Sequence, residues 1–425
     1  MYKKVLNKIK EGYGLSYAYQ FLMLFNALFL IFIFNYFDQD LAYGKYILLI
    51  SSIGFISNFS GFNSGEGIVF FLSKKYDLSK VIKIGVITDV IIGVTMLLIV
   101  ILATPYLSSN YLYLEHHLII IFALKTLFKI LRNNITGYWI YKEQFNKLYW
   151  IQILELLLTL LFISIALFSD EKFSLKSIVI IESANSFLFM IIAYTIFIFD
   201  YKRERKSFSN DSPRESLKIS TFVVYNSKLF ISQALKAGNK KIDILLLGYF
   251  LTPMEVGIYD KIKKPFVVIN SLVNPLRQLN YPYLLNLINE DKTKEVLNFL
   301  KKSSYRLSIF ISPYLVLLIV FKKNIFELLN LIPSPSINIL FFTLLITSFY
   351  QTLFWWVRIF SNSINPILSV KANLISTTIL VSFSSILLRY YEFDGLSITL
   401  CVNCILLVLF WWINLKKYVY SKVLL

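Results

Sequence analysis

The basic residues near the middle of the chain are of a type and spacing that could bind an anion. In QALKAGNKKIDILLLGYF, residues 233–250, the last eight residues are almost wholly apolar, as in a membrane helix. Lys236, Lys240, Lys241 and Asp243 stand at or before the start of that apolar run. An ionised group at the centre of a membrane helix costs about 2.5–3.5 kcal/mol, so such groups are expected to face water or a charged ligand. Lysine attracts a phosphate anion more strongly in a low-dielectric cavity than in water.

Helical spacing predicts that these charges share one side of a helix, and two further segments repeat the pattern. At about 100° per residue, polar positions between residues 228 and 243 span an arc of about 120° around the helix axis. Lys125, Lys129 and Arg132, at intervals of four and three residues, span an arc of about 60°. Lys263 and Arg277 also share one side of a predicted helix, which Pro265 and Pro275 can kink. We predict cavity-lining, substrate-binding cations on three helices: Lys236, Lys240 and Lys241; Lys125, Lys129 and Arg132; and Lys263 and Arg277.

Each set has a structural alternative. Lys125, Lys129 and Arg132 fit a position near the cytoplasmic surface of the membrane, where long basic side chains reach the headgroups. Lys263 follows a predicted outer turn, which fits an interfacial position. For the lysines at 236–241, the alternative is that the helix boundaries are displaced by about ten residues.

Acidic residues inside apolar segments are candidates for coupling transport to a proton or sodium gradient. They are Glu66, Asp89 and Asp243. Glu66 lies in GFNSGEG, residues 61–67, whose glycines predict a bend or an unwound turn. Asp243 has a structural alternative, an ion pair with Lys240 one turn away.

The sequence predicts no catalytic residue, no cofactor and no metal site. Residues 401–404, CVNC, match Cys-x-x-Cys, but they lie in an apolar segment without a histidine or a second pair nearby. Packed thiols are therefore expected there. The nucleotide-binding loop G-x-x-x-x-G-K-[ST] does not occur, so the chain is not expected to hydrolyse ATP unaided.

The elements that must position these residues are membrane helices. The 425 residues are 57% hydrophobic and 16% charged, and the mean hydropathy is +0.64. A bilayer core about 30 Å thick needs roughly 20 apolar residues per helix, and long unbroken apolar runs exclude a barrel. We predict an all-α polytopic membrane protein with twelve spans: 14–34, 42–72, 84–103, 115–138, 149–168, 177–199, 219–250, 255–288, 303–321, 337–357, 372–388 and 396–415.

The spans are expected to form two six-helix bundles related by a pseudo-two-fold axis along the membrane normal. Residues 200–216 are polar and linker-like, which predicts bundles at 1–199 and 217–425 joined by a cytoplasmic linker. A shift of 213 residues lays Gly44 and Tyr46 of LAYGKY on the Gly257 and Tyr259 of MEVGIY. In transporters built this way, the substrate site lies near the midplane between the halves.

The net charge of +18 is largely explained by topology. With a cytoplasmic N-terminus, the predicted inner segments carry 25 Lys and Arg and the outer segments carry 6. This is the positive-inside bias of a multi-pass protein with both termini in the cytoplasm. We therefore predict membrane lipids, and not nucleic acid, as the surroundings of these charges.

Together these features resemble a known family. Twelve spans in two halves, G-x-Y opening spans two and eight, the charged middle loop and KKIDILLLGYF are similar to Wzx-type O-antigen flippases. These belong to the multidrug/oligosaccharidyl-lipid/polysaccharide exporter (MOP) superfamily, whose fold resembles that of MATE transporters. The resemblance implies flipping of an undecaprenyl-pyrophosphate-linked oligosaccharide to the periplasmic leaflet of a bacterial inner membrane. It also implies a polysaccharide polymerase and a chain-length regulator as partners, in lipopolysaccharide or other surface-polysaccharide biosynthesis.

Two other functions remain open on this sequence. A MATE-like multidrug exporter is expected to carry an acidic residue in its first span, but residues 14–34 contain no charge. A polysaccharide polymerase or ligase acts on the same lipid-linked sugars and is expected to have a long periplasmic loop, whereas the longest predicted outer connection has about 15 residues.

Overall fold

Helices make up almost all of the described chain. The computed structural model describes residues 2–60, 64–74, 76–169, 174–207, 217–227, 230, 241–290, 292–357, 360 and 366–423, and these ranges contain no strand. We label the helices α1 (Tyr2–Tyr36), α2 (Asp40–Ser60), α3 (Ser64–Ser73), α4 (Leu78–Tyr106), α5 (His116–Leu131), α6 (Asn133–Tyr141), α7 (Phe145–Ser169), α8 (Leu175–Ser207), α9 (219–227), α10 (Ile242–Phe250), α11 (Pro253–Asn289), α12 (Thr293–Val320), α13 (Lys322–Leu328), α14 (Pro335–Leu353) and α15 (Pro366–Val423).

Several helices are long and apolar enough to cross a membrane, which confirms the polytopic all-α class. Within the described residues there are seven such stretches, which lie in α1, α4, α7, α8, α12, α14 and α15. The stretch in α15 covers 52 residues and includes both the eleventh and the twelfth predicted spans. A non-helical Glu392, with φ 45°, divides that helix between the two spans.

Among the described residues the structure shows a break within one predicted span. The second predicted span covers α2 and α3, and residues 61–63 between them lie outside the described ranges. The fourth, expected to be continuous from 115 to 138, breaks at Arg132, which ends α5 and precedes α6. Polar contacts satisfy the backbone at this break, because Tyr194 donates to the Leu131 carbonyl at 2.9 Å and the Asn134 N–H donates to Asp89 at 3.1 Å.

The chain folds into two compact units. The N-terminal unit comprises Met1–Leu30 and Lys45–Ala237, and the C-terminal unit comprises Ile31–Gly44 and Gly238–Leu425. The predicted linker at 200–216 stays a prediction, since α8 continues to Ser207 and residues 208–216 lie outside the described part.

In the N-terminal unit, α5 packs against α4 and α8, and α3 packs against α6. The crossing of α3 and α6 requires glycine, because a Cβ added at Gly137 would lie 2.4 Å from the Gly65 carbonyl oxygen. A core of buried apolar residues surrounds this crossing, and Trp139, Tyr138 and Phe222 are among its largest side chains.

In the C-terminal unit, α11 packs against α12 and α14, and α10 packs against α11 and α15. The start of α2 belongs to this unit and lies against the start of α11. A Cβ added at Gly44 would lie 1.6 Å from the Pro253 carbonyl oxygen, and one added at Gly257 would lie 3.3 Å from the Gly44 Cα. The two glycines of the sequence repeat therefore hold these helix ends together at close range.

Candidate functional site

The cationic stripe of the N-terminal unit, defined as Lys125, Lys129 and Arg132, lies along α5 and at its C-terminal end. Two of its members form ion pairs with neighbouring helices. Lys125 Nζ lies 2.7 Å from Glu182 Oε2 of α8. Arg132 binds Glu155 of α7 through both nitrogens of its fork, at 2.8 and 3.1 Å. Because the stripe contacts buried acidic groups, the alternative of side chains that only reach for headgroups does not describe Lys125 or Arg132.

The two carboxylates are held by further donors. Tyr46 Oη donates to Glu182 Oε1 at 2.8 Å, and Ser186 Oγ donates to Glu155 Oε1 at 3.0 Å. The side chain of Glu182 is 7% exposed and that of Glu155 is 12% exposed. A buried ion pair needs such additional hydrogen bonds to offset the desolvation of its charges. Both pairs are therefore satisfied within the protein.

Lys129 differs from its neighbours on the stripe. It lies one turn from each of them on α5, its side chain is exposed, and within the described residues it forms no ion pair. With Glu155 and Glu182 occupied by Arg132 and Lys125, the stripe has three cations for two carboxylates. Lys129 is thus available to an external anion.

Asp89, a predicted coupling residue, is buried on α4 without an ion pair to any described cation. Ser64 Oγ donates to one of its oxygens at 2.5 Å, and the Asn134 N–H donates to the other at 3.1 Å. The second contact places the carboxylate at the N-terminus of α6, where the helix dipole favours negative charge. Glu66, the second predicted coupling residue, lies in the first turn of α3 and its side chain is exposed.

A second charged cluster lies where α2, α10 and α11 meet in the C-terminal unit. Asp243, the third predicted coupling residue, accepts hydrogen bonds from Tyr259 Oη and Lys263 Nζ. The structure thus gives Asp243 an ion pair with Lys263, whereas the predicted pairing with Lys240 falls on a residue outside the described part.

The remaining members of the cluster are also paired. Asp260 accepts from Tyr43 Oη at 2.5 Å and lies 3.0 Å from Lys264 Nζ. Lys261, 1% exposed, lies 2.5 Å from Asp40. These contacts join residues of α2 to residues of α11 that are more than 200 positions away.

Lys241 precedes the first turn of α10 and is half-buried. It forms no ion pair within the described residues, where the three lysines of α11 occupy Asp243, Asp260 and Asp40. Lys241 is therefore the counterpart of Lys129, a cation beside a neutralised cluster.

The other predicted cations cannot be placed. Lys236 and Lys240 lie outside the described residues, and Arg277 lies in α11 without a described side chain. In the described part, no group of three His, Cys, Asp or Glu residues could hold a metal ion.

The sequence identified the basic stripe but not its partners. Glu155 and Glu182 were visible as acidic residues inside the fifth and sixth predicted spans. Charge balance was the available signal, because a buried lysine or arginine generally needs a nearby carboxylate. In the sequence, Tyr46 and Tyr259 are recognisable only as matching positions of the internal repeat.

Comparisons with known proteins show the family of this chain through a family model and its fold through solved structures. The family model described as polysaccharide biosynthesis protein matches residues 13–288. An inward-facing structure of a multidrug resistance MATE transporter of the MOP superfamily superposes with a TM-score of 0.67 at 12% identity, covering 93% of this chain and 95% of that chain. A eukaryotic MATE transporter gives a TM-score of 0.56 at 10% identity, covering 99% and 98%. Among curated proteins no significant match is found.

Proposed function

The chain belongs to the polysaccharide biosynthesis protein family and has the fold of MATE transporters, and from this premise we propose that it flips a lipid-linked oligosaccharide across the membrane. The cargo class is an undecaprenyl-pyrophosphate-linked repeat unit, moved by alternating access from the cytoplasmic to the periplasmic leaflet of a bacterial inner membrane. A polysaccharide polymerase and a chain-length regulator are the protein partners that such a pathway would supply.

Lys129 is the observation that carries this proposal. A pyrophosphate is a compact anion, and a lysine without a carboxylate partner can bind it without first breaking an ion pair. Lysine acts on phosphate as a point charge, which suits a cargo that must be released again. Lys241 supports the same interpretation in the C-terminal unit.

Among the described residues, the charge inventory of the stripe on α5 and of the cluster around α11 favours an anionic cargo over an organic cation. The stripe has three cations for the carboxylates Glu155 and Glu182. The cluster around α11 has four lysines, with Lys241 included, for three carboxylates. Each set keeps one surplus positive charge, which would repel the cationic drugs that an acidic cavity attracts.

The proposal is tested by replacing Lys129 with alanine. Losing a hydrogen bond to a charged group costs about 1.5–3 kcal/mol, so affinity for undecaprenyl pyrophosphate in nanodiscs should fall about ten- to hundredfold. The matched control is Lys83→Ala, an exposed lysine near the start of α4 that lies at the predicted cytoplasmic side.

Transport of a labelled lipid-linked oligosaccharide in proteoliposomes gives the second measurement. Lys129→Ala should lower the flipping rate while Lys83→Ala leaves it unchanged. Unaltered binding and flipping in both Lys129→Ala and Lys241→Ala, at normal protein abundance, would contradict the proposed function.

Coupling to an ion gradient is a further part of the proposal, supported by Asp89. A buried carboxylate without a described cation partner is suited to bind a proton or sodium ion during the cycle. Asp89→Asn keeps the shape and the hydrogen-bond capacity but removes the charge. Flipping by this variant should no longer respond to an imposed proton or sodium gradient, and a gradient response equal to that of the wild type would rule Asp89 out.

A further inference from the structure

The internal repeat places a tyrosine at Tyr46 and Tyr259, and both phenols bind the carboxylate of a lysine ion pair. Tyr46 Oη donates to Glu182 Oε1 at 2.8 Å, and Glu182 Oε2 receives Lys125 Nζ at 2.7 Å. In the C-terminal unit, Asp243 receives Tyr259 Oη and Lys263 Nζ. The two phenols are buried, with 2% and 0% exposure of their residues. The same three-group arrangement therefore occurs in both units, and Tyr43, Asp260 and Lys264 form it a second time in the C-terminal unit.

The carboxylate of the C-terminal arrangement has no counterpart in the repeat, because Asp243 corresponds to Leu30 under the shift of 213 residues. The two acids also come from helices in different positions along the chain, α8 and α10. What recurs is thus the tyrosine and its contact with a paired carboxylate, which indicates a role for the phenol itself.

The phenol changes what happens when the lysine leaves its carboxylate. Removing one partner of a buried ion pair is strongly unfavourable because the remaining charge is left unpaired. A phenol O–H that donates to the other carboxylate oxygen offsets part of that cost through a charge-assisted hydrogen bond. Tyr46 therefore lowers the cost of moving Lys125 away from Glu182.

Lys125 lies close enough to Lys129 for both side chains to bind the same phosphate group. Its side chain is 13% exposed, so it lies at the edge of the buried region. Lys129 follows four positions later on α5, and residues at this spacing have Cβ atoms about 5–6 Å apart. Two ammonium groups at this separation can bind different oxygens of one phosphate group.

We infer that Lys125 and Lys129 form a two-lysine subsite for one phosphate of the cargo, with Tyr46 as the positioning residue that retains Glu182 when Lys125 moves. Lys129 binds the phosphate first, Lys125 then leaves Glu182 for the same phosphate, and its return accompanies release. Tyr259 holds Asp243 in the same way beside Lys241. This inference rests on the proposed function, because it assigns the phosphate-binding step of that cargo.

Tyr46→Phe tests the inference, since it keeps the ring and removes only the O–H. Without the phenol, Lys125 is more firmly held by Glu182, so the Kd for undecaprenyl pyrophosphate in nanodiscs should rise about tenfold, or about 1.4 kcal/mol. Adding Glu182→Gln should restore the Kd to within about threefold of wild type, because a neutral amide does not retain Lys125. Tyr194→Phe is the matched control, a phenol that donates to the backbone carbonyl of Leu131, and it should leave the Kd unchanged.

The rescue separates positioning from simple structural support. If Tyr46 only stabilises the fold, Tyr46→Phe lowers the melting temperature without changing the Kd, and Glu182→Gln does not restore anything; that result overturns the inference. If Tyr46→Phe fails to fold, Glu182→Gln alone decides, because the freed Lys125 should then bind more tightly than in the wild type. An unchanged or weaker affinity of this variant is the contrary outcome.

The same experiment distinguishes failure of the inference from failure of the proposed function. Wild-type protein that does not bind undecaprenyl pyrophosphate would overturn both. Wild-type protein that binds it, together with a Tyr46→Phe variant of equal affinity and normal stability, would overturn only the role of Tyr46.

Discussion

At the scale of single residues, the basic stripe on α5 combines two cations in ion pairs with one cation that forms no ion pair among the described residues. Arg132 and Lys125 are bound to carboxylates that receive further donors, whereas Lys129 between them is exposed. A bidentate arginine is well suited to a permanent ion pair because its fork matches the carboxylate geometry. The three residues thus differ in task although they share one face of one helix.

Arg132→Ala should destabilise the protein because it leaves Glu155 buried without a cation. Breaking a buried pair costs about 3–5 kcal/mol, so the melting temperature in detergent should fall clearly. Lys147→Ala is the matched control, since Lys147 pairs with Asp200 at 2.7 Å but is 40% exposed, and exposed pairs contribute about 0–1 kcal/mol. Equal melting temperatures of the two variants would show that the Arg132–Glu155 pair contributes no more to stability than an exposed ion pair.

Residue types and spacing predicted the stripe, but they did not predict its ion pairs. Lys125 pairs with a glutamate 57 positions later, and Asp40 pairs with a lysine 221 positions later. Helical periodicity reports which residues share a face of one helix. Which helices become neighbours depends on tertiary packing, and so the partners became visible only in the structure.

At the scale of helices, the packing of α2 against α11 depends on a close approach of the two backbones at glycine residues. The ends of these helices lie so near each other that Gly44 has no room for a side chain. The contact also brings Asp40 and Tyr43 to Lys261 and Asp260. A glycine in α2 therefore determines whether the charged cluster of the C-terminal unit is completed.

Gly44→Ala should strongly reduce the amount of folded protein, since the added Cβ would lie 1.6 Å from the Pro253 carbonyl oxygen. The helices must separate, which weakens the ion pair between Asp40 and Lys261. Gly54→Ala in the same helix is the matched control, because nothing lies within 4 Å of the added Cβ. Fluorescence-detected size-exclusion chromatography measures the monodisperse fraction, and equal fractions for the two variants would refute the packing argument.

Hydropathy predicted the helices more accurately than their interruptions. The third predicted span, 84–103, lies within α4, and the fifth, 149–168, lies within α7. The sequence predicted one continuous span because the polar residues 132–134 are few and apolar residues resume after them. The groups that satisfy the broken backbone, Asp89 and Tyr194, come from other helices.

At the scale of the whole molecule, the distribution of basic residues predicts the orientation in the membrane. The predicted inner segments carry most of the Lys and Arg outside the spans, and this bias sets the orientation of inserted helices. Both termini are therefore predicted to lie in the cytoplasm.

Cysteine labelling in spheroplasts tests the orientation. In a background lacking Cys401 and Cys404, cysteines replacing Lys80 and Lys294 should resist a membrane-impermeant maleimide, since both positions are predicted to be cytoplasmic. Cysteines replacing Glu115 and Lys323 should react, since both side chains are exposed on predicted outer segments. The reverse labelling pattern would show that the protein is inserted with the opposite orientation.

The ion pair between Asp40 and Lys261 has a consequence for biogenesis. The two residues are separated by 221 positions, and ribosomes add about 5–20 residues per second, so Asp40 emerges about 11–44 s before its partner. During that interval the segment from Ile31 to Gly44, the first part of the C-terminal unit in the chain, carries a carboxylate whose lysine has not yet been made. The contact between the start of α2 and α11 can therefore form only after the whole N-terminal unit has been synthesised.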